Sequence, residues 1–191
     1  MSDAVQFDGY LDDQMLVAMP GMADPNFARS VTLMCQHTSE GAIGITINRE
    51  SDFLLGDIFD QLDLGCEDES LRGQLVLDGG PVHRDRGFVL HTPREGFESS
   101  LGLGNDIMVT TSRDVLAAIA AGEGPEQFLV ALGYAGWGDG QLEDEMRQNA
   151  WLSVPADHGI IFDAPLGDRW NRAVANLGVD ISNLHDVGGH A

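Results

Sequence analysis

The chain has 191 residues, 43% of them hydrophobic, which is enough for one domain with its own core. It contains 31 acidic residues and 10 arginines but no lysine, which gives a formal net charge of −21. Because nucleic acids and anionic lipids are bound through basic side chains, this charge argues against direct binding to DNA, RNA or a membrane surface. The absence of lysine also excludes Schiff-base and P-loop lysine chemistry.

The termini and the cysteines indicate the compartment. The N-terminal sequence is acidic and lacks the apolar core of a secretory signal, and no apolar run reaches the roughly 18 residues of a membrane span. Cys35 and Cys66 lie in different segments without the spacing of a redox or zinc motif. We therefore expect a cytoplasmic protein with free thiols and no membrane contact.

Short runs rich in apolar and β-branched residues, bounded by glycine, proline or polar turns, predict the strands. In chain order they cover Met15–Met19, Ser30–Gln36, Gly44–Asn48, Gln74–Leu77, Gly87–His91, Ile107–Thr111, Phe128–Tyr134, Trp151–Val154 and Gly159–Phe162. Four further segments show helical spacing of apolar residues or the start and stop signals of helices. These predicted helices cover Leu54–Leu64, Arg113–Ala121, Gln141–Asn149 and Leu166–Leu177.

The order of these elements indicates the fold class. Strands and helices do not strictly alternate, and neighbouring strands such as Ser30–Gln36 and Gly44–Asn48 have connections too short for a parallel crossover. We predict a single domain over residues 1–191, of mixed α/β or α+β class, with a mixed, largely antiparallel sheet and about four helices. The acidic arm at 1–12 and the tail at 184–191 are expected to be flexible.

The turn GWGDG comes directly before the predicted helix Gln141–Asn149, a junction that resembles a phosphate-binding loop. The spacing GxGxxG is absent, and four acids occupy the turn and the helix start: Asp139, Glu143, Asp144 and Glu145. Acids at this position stabilise the helix dipole and repel phosphate. We predict a structural helix start here and no metal site; the weaker alternative is a divalent cation held by Asp139, Glu143 and Asp144.

Three polar residues end predicted strands: His37, Asn48 and His91. If the sheet brings these strand ends to one rim, they would line a ligand cleft together with GWGDG. The alternative is that each side chain bonds a nearby loop backbone. The turn Asp78–Pro81 specifies backbone shape, because its two glycines allow φ values that other residues avoid and the proline fixes its own φ.

Catalytic signatures do not occur in the sequence. The patterns GxSxG, HExxH and GxxxxGK[ST] and the EF-hand loop are all absent. Trp137 and Trp151 could line a pocket, but large aromatic residues beside an amphipathic helix more often belong to the core. The sequence thus favours a binding protein over an enzyme and predicts no cofactor.

Four segments, in order, resemble the YqgE/AlgH family of small bacterial proteins over nearly the whole chain. They read SVTLMCQHTSEGAIGITINR, GGPVHRDRGFVLH, TTSRDVLAAIAAGEGPEQFLVALGYAGWGDGQLEDEMRQNAWL and the ending GHA. The resemblance implies a fold in which helices surround a bifurcated, partly barrel-like sheet. It also implies a role in transcriptional regulation, which in one branch is linked to alginate synthesis.

The motif positions of this family supply the candidate ligand-binding residues, none with an assigned catalytic role. They are His37, Asn48, Arg49, Gly79, Gly80, Pro81, His91, Trp137, Gln141 and Glu143. With the acidic charge, they predict a module that binds a protein or a small molecule and regulates transcription indirectly, without touching DNA. The alternative is a small-molecule or nucleotide-binding enzyme with a cleft formed by His37, Asn48, His91 and GWGDG.

Overall fold

Ten strands and five α-helices make up the fold in the computed structural model, which describes residues 11, 13–22, 24–25 and 27–177. The strands are β1 Gln14–Ala18, β2 Val31–Thr38, β3 Gly41–Thr46, β4 Glu50–Leu54, β5 Leu75–Asp78, β6 Val82–His91, β7 Ser100–Gly104, β8 Ile107–Thr110, β9 Phe128–Trp137 and β10 Trp151–Pro155. The helices are α1 Leu55–Gln61, α2 Glu69–Arg72, α3 Arg113–Ala120, α4 Gln141–Arg147 and α5 Arg169–Ala175.

The sheet is organised around β9. One edge of β9 pairs antiparallel with β6, and the other edge is shared between two strands. Ala131 and Leu132 lie parallel to β5, whereas Ala135 to Trp137 lie antiparallel to β3. The sheet therefore forks at this edge: one branch continues through β3, β2, β1 and β10, and the other through β5 and β4. This curled half-barrel confirms the mixed, largely antiparallel and partly barrel-like sheet predicted above.

Alternation of side chains along the strands divides the core into apolar clusters on the two faces of the sheet. Along β1, Met15 and Val17 belong to the cluster covered by α5, while Leu16 and Ala18 belong to the cluster under α4. A third cluster packs the apolar sides of α1 and α3 against Val89 and its neighbours on the sheet. The molecule is thus a single domain in which helices cover a curled sheet.

The predicted hairpin of the second and third strands is confirmed. β2 and β3 pair antiparallel from Thr32 and Thr46 to Thr38 and Gly41, with an irregularity between Met34 and Gln36. The hairpin lies between β1 and β9, so it is central in the sheet. Its turn end therefore lies next to the end of β9 and the GWGDG turn.

The predicted strand Gly159–Phe162 is wrong, because residues Gly159–Asp163 form a π-helical turn. The carboxylate of Asp157 accepts a hydrogen bond from the amide of Ile160 (3.2 Å) and so starts this turn as a helix cap does. Ile160 and Ile161 are buried in the same cluster as α5. A short apolar run can be buried equally well as a strand or as a helical turn. The periodicity of its apolar residues therefore does not distinguish the two.

Three short elements were not predicted: the edge strands β4 and β7 and the one-turn helix α2. β4 and β7 each pair with one neighbour, show irregular registers and bury few side chains. They lack an apolar pattern for that reason. None of the helices in the described residues has the length and apolarity needed to cross a bilayer. The predicted flexible arm, apart from Leu11, and the predicted flexible tail lie outside the described residues.

Candidate functional site

The predicted rim of strand ends does not exist, because His37 and Asn48 lie at opposite ends of the β2–β3 hairpin. His37 pairs with Ala42 near the turn, whereas Asn48 Oδ1 accepts a hydrogen bond from the amide of Val31 at the start of β2 (2.8 Å). Six residues of extended strand separate these ends by roughly 20 Å. Successive strands of a hairpin end on opposite edges, so their last residues cannot share one rim.

His91 lies at the end of the sheet opposite to His37 and Trp137. It pairs with Phe128 at the start of β9, whereas Trp137 ends that strand nine residues later. Its side chain is buried; Nδ1 lies 2.8 Å from the carbonyl oxygen of Thr92 and Nε2 lies 2.6 Å from Oγ1 of Thr110. Since a carbonyl only accepts, Nδ1 carries the proton and Nε2 accepts from the threonine hydroxyl. His91 thus has a structural place between β6 and β8.

Burial lowers the pKa of His91 below its ordinary value of 6.5, against the opposing effect of the Thr92 carbonyl. We expect the stability of the fold to depend on pH through this histidine. The unfolded chain binds a proton at His91 at pH values where the folded chain does not. The contribution is complete above the unfolded pKa and is lost as the pH falls from about 6.5 toward the folded pKa. Urea unfolding across this range should show a steeper loss for the native protein than for His91→Gln. Parallel curves for the two proteins would contradict this assignment.

Four of the candidates do come together around α4: His37, Trp137, Gln141 and Glu143. His37 is buried; its Nδ1 accepts the amide of Leu11 (3.1 Å), and its Nε2 lies 2.9 Å from Oε1 of Glu143. Because Nδ1 accepts, the proton is on Nε2, which donates to the carboxylate. Gln141 closes the GWGDG turn by accepting the amide of Gly138 through its side-chain oxygen (3.0 Å). This group ties the helix to the turn end of the hairpin.

Glu145, which the sequence interpretation treated only as a helix-start acid, holds the two tryptophans. Its Oε1 accepts the indole N–H of Trp137 (3.1 Å) and of Trp151 (3.0 Å), and its Oε2 accepts the side-chain amide of Gln141 (2.9 Å). The two indole rings pack edge to face, 5.8 Å between centroids, in the cluster under α4. The aromatic pair thus belongs to the core, as its flanking of an amphipathic helix indicated.

The acids weighed as cation ligands are not arranged around a common point. Glu143 bonds His37, and Asp144 forms an ion pair with Arg147 on the same helix. Among the described residues no group of three or more histidine, cysteine or acidic side chains is placed to hold a metal ion. The carboxylates of α4 are therefore used to fix the helix and the indole rings.

The remaining candidates lie beside the middle of β9. The amide of Gly79 donates to the carbonyl of Leu132 (2.8 Å), and the carbonyl of Gly79 accepts the amide of Thr46 (2.9 Å). The turn Asp78–Pro81 thus fills the fork between β3 and β5. Arg49, Gly80 and Pro81 border a small polar recess there, which they share with Arg84 of β6.

One concave site was not predicted from the sequence. It is a cleft of about 550 Å³ between α1, the start of α3 and the outer face of β6 and β8. Its walls are chiefly apolar, with a few polar groups at the rim. The lining residues are Phe53, Ile58, Gln61, Leu62, Arg84, Asp85, Gly87, Val89, Thr110, Thr111, Ser112, Arg113, Leu116 and Leu132. This size and composition are typical of small-molecule sites.

Arg84 is the residue that connects this cleft with its surroundings. It lines the cleft, the recess at Pro81 and an adjoining polar cavity of about 280 Å³ that also contains Asp78. Arg84 forms no ion pair within the described part of the chain. Arg113 also lines the cleft and donates to the carbonyl of Leu62 (2.7 Å), which fixes its position at the rim. The lining of the cleft thus contains two guanidinium groups, Arg84 and Arg113, and one carboxylate, Asp85.

A second cavity, of about 340 Å³, lies between β2 and β7 and is lined by Cys35, Phe88 and Leu101 among others. Burial raises the pKa of the Cys35 thiol to about 12. The thiolate is the reactive form of cysteine, so this thiol is inert at neutral pH. The cavity therefore has no nucleophilic cysteine.

No motif could have identified this cleft, because its lining comes from four separate parts of the chain. The available signal is the segment from Arg84 to Gly87, where arginines and a glycine interrupt a strand pattern before Phe88. Alternation along β6 places Gly87 and Val89 on one face of the strand and Phe88 on the other. Glycine on the face of Val89 leaves room for the cleft.

Comparisons with known proteins agree on the family. The AlgH-like family matches residues 15–182. A UPF0301 protein of Xanthomonas campestris pv. campestris is 50% identical over 181 residues, which cover 95% of this chain and 96% of the relative. A UPF0301 protein of Xanthomonas oryzae pv. oryzae has the same identity and coverage.

Two solved structures share the fold. The solution structure of the AlgH protein from Pseudomonas aeruginosa is 48% identical, with a TM-score of 0.78 over 95% of this chain and 96% of that one. A crystal structure of a Corynebacterium diphtheriae protein, at 22% identity and a TM-score of 0.72 over 90% of both chains, shows the fold alone. The family match over most of the chain, together with relatives at half identity over nearly all of it, places the chain in the AlgH-like family.

Proposed function

We propose that the protein is a binding module for a small amphipathic molecule, which occupies the cleft between α1 and α3. The observation that supports this proposal is an apolar cleft of about 550 Å³ with two arginines at its rim. The chiefly apolar walls make ligand binding the activity that we propose for this cleft. The candidates Gly79, Gly80 and Pro81 contribute by forming the turn that leads into β6, and Arg49 borders the recess beside that turn.

The lining defines the chemical class of the ligand. Apolar walls from Ile58, Leu62 and Leu116 favour a hydrocarbon or aromatic body, since burying apolar surface releases about 25 cal/mol per Å². Arg84 and Arg113 favour a carboxylate or another anionic group, to which a guanidinium donates several N–H groups. We therefore propose an organic acid with an apolar body.

A role in transcription would be indirect. A net charge of −21 repels the DNA backbone, because 31 acidic residues outnumber the ten arginines that could contact its phosphates. Ligand occupancy of the cleft would instead change a contact with another protein. The regulatory role implied by the family resemblance would then not require a surface that reads DNA.

The cleft can be closed by Gly87→Leu. A Cβ added at Gly87 would meet no atom within 4 Å, so the backbone accepts a side chain that then enters the cleft. We expect the native protein to enhance the fluorescence of anilinonaphthalene sulfonate, an anionic aromatic probe, and decanoate to displace it. Gly87→Leu should weaken probe binding by about 10-fold or more, because the added side chain takes the volume that the ligand would fill.

Gly102→Leu is the matched control, because Gly102 on β7 is also open around its Cβ but lies outside the cleft. Arg84→Gln should weaken decanoate more than it weakens decanol, whereas Arg86→Gln, two residues away and outside the cleft, should leave both unchanged. Equal probe binding by the native protein and Gly87→Leu would refute the site. Equal losses of decanoate and decanol in Arg84→Gln would refute the anionic ligand class.

A further inference from the structure

A polar cavity of about 280 Å³ adjoins the proposed ligand cleft and has no part in the function proposed above. Three residues line both spaces, namely Phe53, Arg84 and Leu132, so the cleft and the cavity meet at these side chains. The walls of the cleft are chiefly apolar, whereas those of the polar cavity include the acids Glu50 and Asp52. A molecule that fills the cleft as far as Arg84 therefore reaches a second chemical environment.

The charged groups of the polar cavity do not neutralise one another through direct contact. Glu50, Asp52, Asp78 and Arg84 all line it. None of the three carboxylates forms an ion pair with Arg84, since the ion pairs in the described part of the chain lie elsewhere. A guanidinium group and carboxylates thus border one space without contacting each other, and a ligand that bridges them satisfies both.

The sheet holds the walls of this space in place. β4 pairs with β5 at Glu50, and the hydroxyl of Ser51 donates to the carbonyl of Val76 on β5 (2.6 Å). The carboxylate of Asp78 accepts the amide of Gly80 (3.2 Å) in the turn that leads into β6. A site whose walls are fixed in this way loses less conformational freedom when a ligand binds.

Opposite charges at the edge of an apolar cleft define the head group of the ligand. A carboxylate pairs with Arg84, the residue that the proposed function already assigns to it. A positive group on the neighbouring carbon atom is attracted by the acids Glu50 and Asp52. We propose that the cleft and the polar cavity together bind an α-amino acid with a large apolar side chain. This inference rests on the function proposed for the cleft and narrows its ligand from an organic acid to an amino acid.

A head group with only one charge is a poorer match for this boundary. A simple carboxylate at Arg84 is repelled by the acids Glu50 and Asp52, and an ammonium group alone is repelled by Arg84. An α-amino acid carries both charges on one carbon atom, so each charge is paired with its opposite. The cleft of about 550 Å³ then accommodates the side chain, whose apolar surface supplies most of the affinity.

The test compares four ligands with the same alkyl chain: octanoate, L-2-aminooctanoate, its N-acetyl derivative and octylamine. Each is used to displace anilinonaphthalene sulfonate from the native full-length protein. In a cleft that offered arginines alone, the added ammonium group would weaken binding, because it must lose water beside a like charge. We expect the opposite sign: L-2-aminooctanoate should bind about 5-fold more tightly than octanoate, the upper value for an ion pair with exposed carboxylates. The N-acetyl derivative, which keeps the bulk but not the charge, should lose this gain, and octylamine should bind more weakly than the amino acid.

The contribution of the acids is tested with Glu50→Gln combined with Asp52→Asn. We expect this double variant to lose the preference for L-2-aminooctanoate over octanoate. The same changes at Glu95 and Asp106, which are exposed and lie outside both spaces, should preserve it.

Three results would overturn the amino acid ligand. If octanoate displaces the probe but L-2-aminooctanoate binds equally or more weakly, the ligand class is wrong and the cleft stands. If octylamine binds as tightly as the amino acid, the acids only attract cations. If neither octanoate nor L-2-aminooctanoate displaces the probe, the cleft itself is refuted and this inference fails with it.

Discussion

Gly80→Ala is expected to lower the free energy of unfolding by roughly 3–5 kcal/mol, a loss typical of backbone strain combined with steric overlap. Gly80 has φ +150°, a conformation that L-residues rarely adopt, and its missing Cβ would lie 2.2 Å from the carbonyl carbon of Tyr134. Relief by a side-chain rotation is impossible, because the obstructing atoms belong to the backbone of β9. That strand is paired on both edges and cannot move without disturbing the fork of the sheet.

Urea unfolding followed by tryptophan fluorescence measures this loss. Gly122→Ala is the control: its φ of +77° is also positive, but an added Cβ would meet no atom within 4 Å. It should cost only about 1 kcal/mol, from backbone strain alone. Similar losses at Gly80 and Gly122 would mean that the close approach to Tyr134 contributes nothing.

Gly80→Ala also connects the fold to the proposed ligand cleft. The Asp78–Pro81 turn leads directly into β6, and Arg84 lies on that strand at the rim of the cleft. A displaced turn would shift Arg84 relative to Arg113. Folded Gly80→Ala protein should therefore bind decanoate more weakly than the native protein does.

The sequence predicted the parts of the fold that depend on local patterns. The β2–β3 hairpin follows from its β-branched runs and short connection, the end of α3 from Gly122, and the special backbone of the Asp78–Pro81 turn from its glycines. β4 and β7 escaped prediction because edge strands bury few side chains, so their sequences show no alternation. The π-helical turn Gly159–Asp163 escaped because a short apolar run is compatible with either a strand or a helical turn.

The candidate site could be predicted only in part, for a topological reason. Gln141 came together with Trp137 through Glu145, and Gly80 with its neighbour Pro81, whereas His37 met Glu143 from a distant part of the chain. The grouping of His37, Asn48 and His91 assumed that all three strand ends share one edge, but antiparallel pairing puts the end of β2 at the edge opposite to the ends of β3 and β6. The cleft joins Phe53 to Leu132 through the fork at β9, and no local pattern encodes which strands meet there.

Glu145→Ala is expected to lower the free energy of unfolding by about 2–4 kcal/mol, because it leaves two indole N–H groups without their acceptor at roughly 1–3 kcal/mol each. Trp151 is fully buried and Trp137 nearly so, and both donate to the same oxygen of Glu145. The expected loss is smaller than the highest sum for the two indole N–H groups. Glu145 is partly exposed, so water reaches some of the space that the alanine side chain leaves empty. Urea unfolding followed by circular dichroism gives the loss, and the tryptophan emission of the folded variant reports the change around the rings.

Two neighbouring changes separate the hydrogen bonds from the charge of the helix. Glu145→Gln keeps an oxygen acceptor but removes the negative charge, so we expect a loss of about 1 kcal/mol. Asp144→Ala removes an acid from the first turn of α4 that pairs only with exposed Arg147, and should cost less than about 1 kcal/mol. If Asp144→Ala costs as much as Glu145→Ala, the acids of α4 act through the helix dipole. If Glu145→Ala alone is severe, the carboxylate holds Trp137 and Trp151 in place, and the acidic helix after GWGDG is a structural clamp on the core.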